Sequence, residues 1–350
     1  MKKLILFIIL LITYACTLES IPRKQYDYNL KEDLISNQDR VQLVDSGAIL
    51  SNIVTSYQLD NKRLYVVAQQ TPEVSAYGLE DASYQSFQYQ KRPVKINDFD
   101  FGYDKLMMFS ALSKAIFVLD KTDGTVLNEI NLDPQKYEIE SSLGESLFHL
   151  NEKDSLFYVG LKDDDNAKAI ELVGAFDFSG KLQFTFGDFK QDNDASQPGY
   201  LLSNTGVLSQ LTKKSLYVLK KETSRLYHFD LSGNLLNKEM LSFEKIPKHE
   251  KVKMKGKSVI KDQIMDFKVD ESNQTMVYTY FTDTGEFMGQ KLPAMYLAFK
   301  EVQSDSISIK EVNFFKLIDY QEQTISTIPI DRNSEAKYFT RFNIHEDSNK

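Results

Sequence analysis

GAFDFSGKLQFTF, residues 174–186, reads as two short strands joined by a tight turn. An apolar strand runs into Asp177, Ser179-Gly180 supplies the positive φ that a close reversal needs, and an alternating strand follows. The same pattern returns as IFVLDKTDGTVLNEINL over 116–132, as YHFDLSGNLLNKEML over 227–241 and, more weakly, as YTYFTDTGEFMGQKL over 278–292. The turn glycines of the four copies are Gly124, Gly180, Gly233 and Gly285, separated by 56, 53 and 52 residues. Each copy follows a further apolar strand: Leu106–Ser110, Leu156–Leu161, Leu216–Lys220 and Ile264–Val269. Strand, strand, turn, strand at this period is the sequence form of a propeller blade, with room for a fourth strand per repeat. Alternation beside each turn predicts one buried face and one wetter face.

Two more repeats fill the chain. The first spans Val41–Tyr89, with strands near Arg63–Ala68, Glu73–Tyr77 and Tyr84–Tyr89. The last spans Tyr296–Ile344, with strands near Val312–Asp319, Thr324–Ile330 and Lys337–Ile344, and its hairpin at Tyr320-Gln321-Glu322-Gln323 has no Gly. Roughly 310 residues at roughly 50 per repeat predict an all-β, six-bladed propeller over 39–350, with seven blades or a β-sandwich assembly as alternatives. An early strand near Val41–Val44 is expected to complete the last blade, because closure removes an exposed edge.

Composition agrees. The chain of 350 residues is 42% hydrophobic and 26% charged, ordinary for a globular protein, and its 23 Phe and 19 Tyr favour strands. It has no Trp, which argues against repeats carrying a Trp-Asp signature. The net charge of −8 argues against nucleic acid as a partner. There is one cysteine, so no intramolecular disulfide can form.

That cysteine sits in MKKLILFIILLITYAC, residues 1–16. Lys2 and Lys3 precede an unbroken apolar run, Leu4–Ile12. The run is too short to span a bilayer but fits a signal peptide, residues 1–15, cleaved after Ala15. Ala15-Cys16 resembles the lipobox of bacterial lipoproteins, although Thr13 stands where a larger aliphatic residue is usual and Tyr14 is bulky for its place. The resemblance implies lipid on Cys16 and a membrane as partner. Thr17, where some bacteria place a retention aspartate, points to the outer membrane by the same resemblance. Residues 16–38 are polar and read as the lipidated N-terminus and a tether, with one short helix near Leu30–Ile35.

Taken together, the chain resembles bacterial lipoproteins built on a TolB-like six-bladed propeller, which share the lipobox, the short tether and the strand–Asp–x–x–Gly–strand hairpins. Some of these carry a Gly/Pro-rich loop after a mid-chain hairpin. FGDFKQDNDASQPGYLL, residues 186–202, lies in a similar place and matches at Gly187, Pro198, Gly199 and Tyr200. The resemblance supplies no catalytic residues.

Chemical motifs are sparse. His149, His228, His249 and His345 show no local metal spacing. Asp163-Asp164-Asp165-Asn166 and Asp192-Asn193-Asp194 with Ser196 lack the spacing of a calcium loop and read as solvated acidic turns. No phosphate loop, G-x-S-x-G elbow or H-E-x-x-H occurs. No metal, cofactor or catalytic residue is therefore expected. Lys245, Lys248, Lys251, Lys253, Lys255, Lys257 and Lys261 form a basic stretch between repeats, a candidate loop for an envelope protein or an anionic glycan. The expected function is that of a membrane-anchored, non-enzymatic binding or interaction module of the cell envelope. The alternative is an envelope enzyme acting on polysaccharide through carboxylates at the propeller channel.

Overall fold

The computed structural model describes residues 27–30, 34–43, 54–60, 62–68, 72–92, 94–140, 147–163, 170–189, 207–221, 224–241, 251–254, 257–260, 263–287, 290–302, 304–312, 315–329 and 337–345. Every element assigned among them is a strand. Six antiparallel sheets, blades I–VI, follow one another along the chain.

Blade I comprises, from the inside outwards, Val54–Asp60, Arg63–Ala68, Glu73–Gly78 and Tyr84–Gln88. Blade II comprises Asp98–Gly102, Lys105–Ser110, Ala115–Asp120 and Val126–Asn131. Blade III comprises Phe148–Asn151, Leu156–Lys162, Leu172–Asp177 and Leu182–Phe186, with Glu138–Ile139 also paired to its second strand. Blade IV comprises Val207–Leu211, Ser215–Lys220, Arg225–Asp230 and Leu235–Met240. Blade V comprises Gln263–Asp270, Thr275–Phe287, Gln290–Glu301 and Ser306–Val312. Blade VI takes Phe315–Gln321, Thr324–Pro329 and Lys337–Ile344 from the end of the chain and its outermost strand, Ile35–Leu43, from the beginning. The six inner strands neighbour one another in order, and that of blade VI returns to that of blade I. The ring therefore has six blades, neither seven nor a sandwich.

Early and late chain meet where the sequence suggested, and the closing strand is longer than the expected one. Ile35 pairs with Ile344 and Leu43 with Lys337, and Arg341 bonds Asp39 across the seam at 3.0 Å. Strand pairing starts earlier still. Asp27–Leu30 adds a fifth, parallel strand outside Ser306–Ile309 of blade V. Of the window expected to hold a short helix, Leu30 and Ile35 are strand residues instead.

Apolar cores lie between consecutive blades, with no single central core. Tyr65, Phe87, Phe99 and Phe117 pack between blades I and II. Phe109, Phe148 and Phe157 form a stacked column between II and III, with ring centroids 5.0 and 6.1 Å apart. Leu64, Ile318 and Phe339 join VI to I. The middle strands are consequently buried on both faces, as in Arg63–Ala68 and Lys105–Ser110. This explains why they read as continuous apolar runs rather than alternating ones. Wetter residues are concentrated in outer strands such as Val126–Asn131.

Gly124, Gly180 and Gly233 occupy turns between third and fourth strands, with φ of 79°, 83° and 87°. Gly285 does not. It lies inside the second strand of blade V, paired with Leu292 beyond a bulge. The fourth copy of the repeat is thus a second-to-third-strand hairpin, and Tyr296 belongs to blade V rather than to the last blade. The Gly-free hairpin of blade VI turns on Glu322 and Gln323, with φ of 47° and 62°. Two successive positive φ values match a type I′ turn, here formed by residues that carry a Cβ.

Candidate functional site

The inner strands surround a channel of about 860 Å³ that reaches the hairpins between first and second strands of blades III–VI. Its wall is polar because an inner strand turns one row of side chains away from the inter-blade cores. Gln58, Asp100, His149, Ser209, Gln210, Lys268 and Asp319 all line it.

Much of that polarity joins one blade to the next. Gln58 Nε2 donates to the Phe99 carbonyl at 2.8 Å, from blade I to II. The Leu150 N–H of blade III donates to Asp100 Oδ2 of blade II at 2.8 Å. His149 Nε2 and Ser209 Oγ, from blades III and IV, are 2.9 Å apart. Gln210 of blade IV holds both polar backbone groups of Val269 in blade V, at 2.7 and 3.0 Å. The Leu317 N–H of blade VI reaches Asp266 Oδ2 of blade V at 3.3 Å, and Lys316 pairs with Asp266 Oδ1 at 2.5 Å. The channel wall therefore clasps five successive seams, while the early strand Ile35–Leu43 completes the sixth blade.

One stretch of the wall has the order of a Ser–His–Asp relay. Ser209 is on His149 Nε2, and Asp100 Oδ2 faces Nδ1 at 3.9 Å. Three observations separate it from a working relay. The Asp–His gap exceeds hydrogen-bond reach. Both Asp100 oxygens already accept backbone N–H groups, from Phe101 and Leu150 at 2.8 Å each. Burial, helped by the Lys268 charge, drives the His149 pKa down to about 3, whereas a general base works best near the operating pH. Burial also lifts Asp100 to about 6 and raises Asp319, the latter against the opposing pull of Lys268.

A second Ser/His/acid group, at the seam of blades IV and V, has the wrong order for catalysis. Ser215 Oγ donates to Glu271 at 2.9 Å and lies 2.9 Å from His228 Nε2, so the serine is in the middle. Ser215 is buried, and His228 stacks on Tyr217 at 4.3 Å.

The residues singled out by sequence are dispersed. His149 is in the channel wall, and His345 meets Ser36 at 2.8 Å on the closure seam. His249 lies outside the described residues, as do Ala15, Cys16, Asp164, Asp165, Asn166, Asp192, Asn193, Asp194, Ser196, Pro198, Gly199 and Tyr200. The Asp163 N–H donates to Glu171 at 2.8 Å, and Gly187 packs on Phe189. Of the basic stretch, Lys245, Lys248, Lys255 and Lys261 lie outside the described residues. Lys251 and Lys253 fall in a strand, Lys251–Met254, paired with Lys257–Ile260, so a small hairpin is inserted between blades IV and V. Among the described residues, no group of three or more His, Cys, Asp or Glu side chains could hold a metal ion.

No family model matches the chain, and no curated protein matches it. Solved structures do. A member of the DUF4221 family from Bacteroides vulgatus superposes with a TM-score of 0.60 at 11% identity, over 90% of this chain and 100% of its own. A Bacteroides fragilis protein whose name classes it as exported superposes at 0.59 and 11% identity, over 91% and 99% of the two chains. The likeness is one of fold. A luciferin-regenerating enzyme gives 0.52 at 9% identity, over 87% of this chain and 95% of its own, so proteins of different names share the architecture.

Proposed function

We infer that the chain is an envelope lipoprotein, held on a membrane by lipid at Cys16, whose propeller binds a partner rather than converting a substrate. The observation that carries this reading is the His149 clasp. The one histidine in the channel wall among the described residues sits on Ser209 with its basicity suppressed, beside a carboxylate whose oxygens both hold backbone N–H groups. Groups fixed in this way hold blades together and leave a rigid scaffold, on which connecting loops are the customary binding elements. The exported class of the B. fragilis structural neighbour supports an envelope or secreted location, and the Ala15-Cys16 pair supports the anchor. The Lys245–Lys261 insertion is the proposed docking element for an acidic protein or glycan.

The test is a crosslinking pull-down from intact cells, with Cys16→Ala as control. A stoichiometric envelope partner captured by the anchored form, and lost when the seven lysines are replaced by Ser, is the expected result. Enrichment of no envelope component by either form would contradict it.

The polysaccharide-enzyme reading keeps one observation in its favour: Asp100, lifted to about 6, has the acidity of a general acid. Cleavage of an envelope glycan by the wild type but not by Asp100→Asn or Asp319→Asn would establish it in place of the binder.

A further inference from the structure

We propose that the face carrying the tight hairpins is the membrane-facing side of the molecule, with a lipid bilayer surface as its partner. The proposal rests on lipidation of Cys16 as inferred above, and two independent features point to it.

The first is where the anchored segment joins the body. Asp27–Leu30 runs parallel to the outer strand of blade V, and Asp27 pairs with Ser306, the first residue of that strand after the turn that leaves Glu301. This turn joins a third to a fourth strand. In a blade of antiparallel strands, such turns emerge at the same end as the hairpins between first and second strands. The anchored segment therefore enters at the hairpin face, beside blade V. Only residues 17–26 lie between it and Cys16, fewer than the tether of 16–38 expected from sequence. At full extension the segment from Cys16 to Asp27 reaches at most about 36–40 Å. A seven-residue strand is about 23 Å long. Presenting the opposite face to the bilayer would lift Asp27 by about that height and use up more than half of the segment's full reach.

The second feature is where apolar side chains remain in solvent. Tyr103 is in the first hairpin of blade II and is 44% exposed; Phe178, in the third-to-fourth-strand turn of blade III, is 37% exposed and meets Tyr103 edge-on. Leu127, Leu235 and Leu236 are 48%, 52% and 55% exposed, just after the corresponding turns of blades II and IV. Blade IV adjoins the blade where the anchored segment docks. Leu112, in the second-to-third-strand connection of blade II, is the exception at the other end. Aromatic and leucine side chains of this kind settle at the headgroup boundary. The hairpins also present both signs of charge, among them Lys213, Lys214 and Asp154, so the apolar contacts rather than net charge set the preference.

The experiment uses the full, lipidated chain in zwitterionic phosphatidylcholine vesicles. Lys213→Cys, on the hairpin face, and Leu112→Cys, on the opposite face, are each labelled with a fluorophore and exposed to lipid-borne quenchers. Lys213→Cys is expected to be quenched at least threefold more than Leu112→Cys, with the contrast surviving 0.5 M salt. It should shrink when a flexible insert of about 20 residues lengthens the tether. Equal or reversed quenching in a chain shown by mass to carry lipid overturns the orientation alone. A chain without lipid overturns the anchor, and the orientation with it.

Discussion

Gln210 holds Val269 by both of its polar backbone groups, accepting from N–H at 2.7 Å and donating to C=O at 3.0 Å. A single side chain thereby fixes the register of blade IV against blade V. Gln210→Ala leaves two inward-facing backbone groups without these partners and should lower stability by about 1–3 kcal/mol, read as a shift in the urea midpoint. Gln210→Glu removes the donor while keeping the shape and should lie on the same side of wild type.

The channel also sets a pH dependence. His149 titrates near 3 in the fold and near 6.5 when unfolded, so between those values the unfolded chain binds the extra proton. Stability contributed by neutral His149 is full above about 6.5 and is lost as pH falls towards 3, a span of about 3–5 kcal/mol. Asp100 acts in the opposite sense. Its pKa is raised from 3.8 to about 6, so the folded chain binds the extra proton and stability falls as pH rises through that interval. His149→Gln should therefore uncover a chain that weakens as pH rises from 4 to 6, whereas Asp100→Asn should lose stability more steeply than wild type as pH falls. Thermal midpoints across pH 4–7 decide between these slopes.

Gly180 tests the turn chemistry. A Cβ there would fall 1.9 Å from the Asn131 carbonyl oxygen of the neighbouring blade, at a φ of 83°. Backbone must move to accept it, so Gly180→Ala should cost about 2–4 kcal/mol. By contrast, Gln323→Gly places glycine where φ is already 62° and should be stabilising by up to about 1 kcal/mol. Denaturant titration of the two variants should move in opposite directions.

Ring closure has a simple deletion test. A chain starting at residue 27 keeps the outer strand of blade VI and should unfold cooperatively. A chain starting at residue 44 loses it, exposes the edge of Lys337–Ile344 and should be aggregation-prone. Size-exclusion profiles separate the outcomes.

The architecture was legible because Gly124, Gly180 and Gly233 mark the same turn in successive blades, and only such residues take those φ values readily. Gly285 misled because a bulged strand and a turn look alike at the level of Thr-Asp-Thr-Gly. The burial of both faces of Arg63–Ala68 was not legible as alternation, since a strand between two cores has none. The channel clasps were hidden for another reason. Asp100, His149 and Gln210 are channel-facing polar residues in short strands, brought together from distant blades by ring closure. The available signal was the alternation of polar and apolar residues on an inner strand, as in Asp98-Phe99-Asp100-Phe101, and it names neither partner nor role.

The anchored, partner-binding account stands or falls first on the mature N-terminus. Intact-mass and N-terminal peptide analysis of the chain purified from membranes should find cleavage after Ala15 and acyl groups on Cys16. A chain with a free Cys16 thiol, or one that retains residues 1–15, would contradict it.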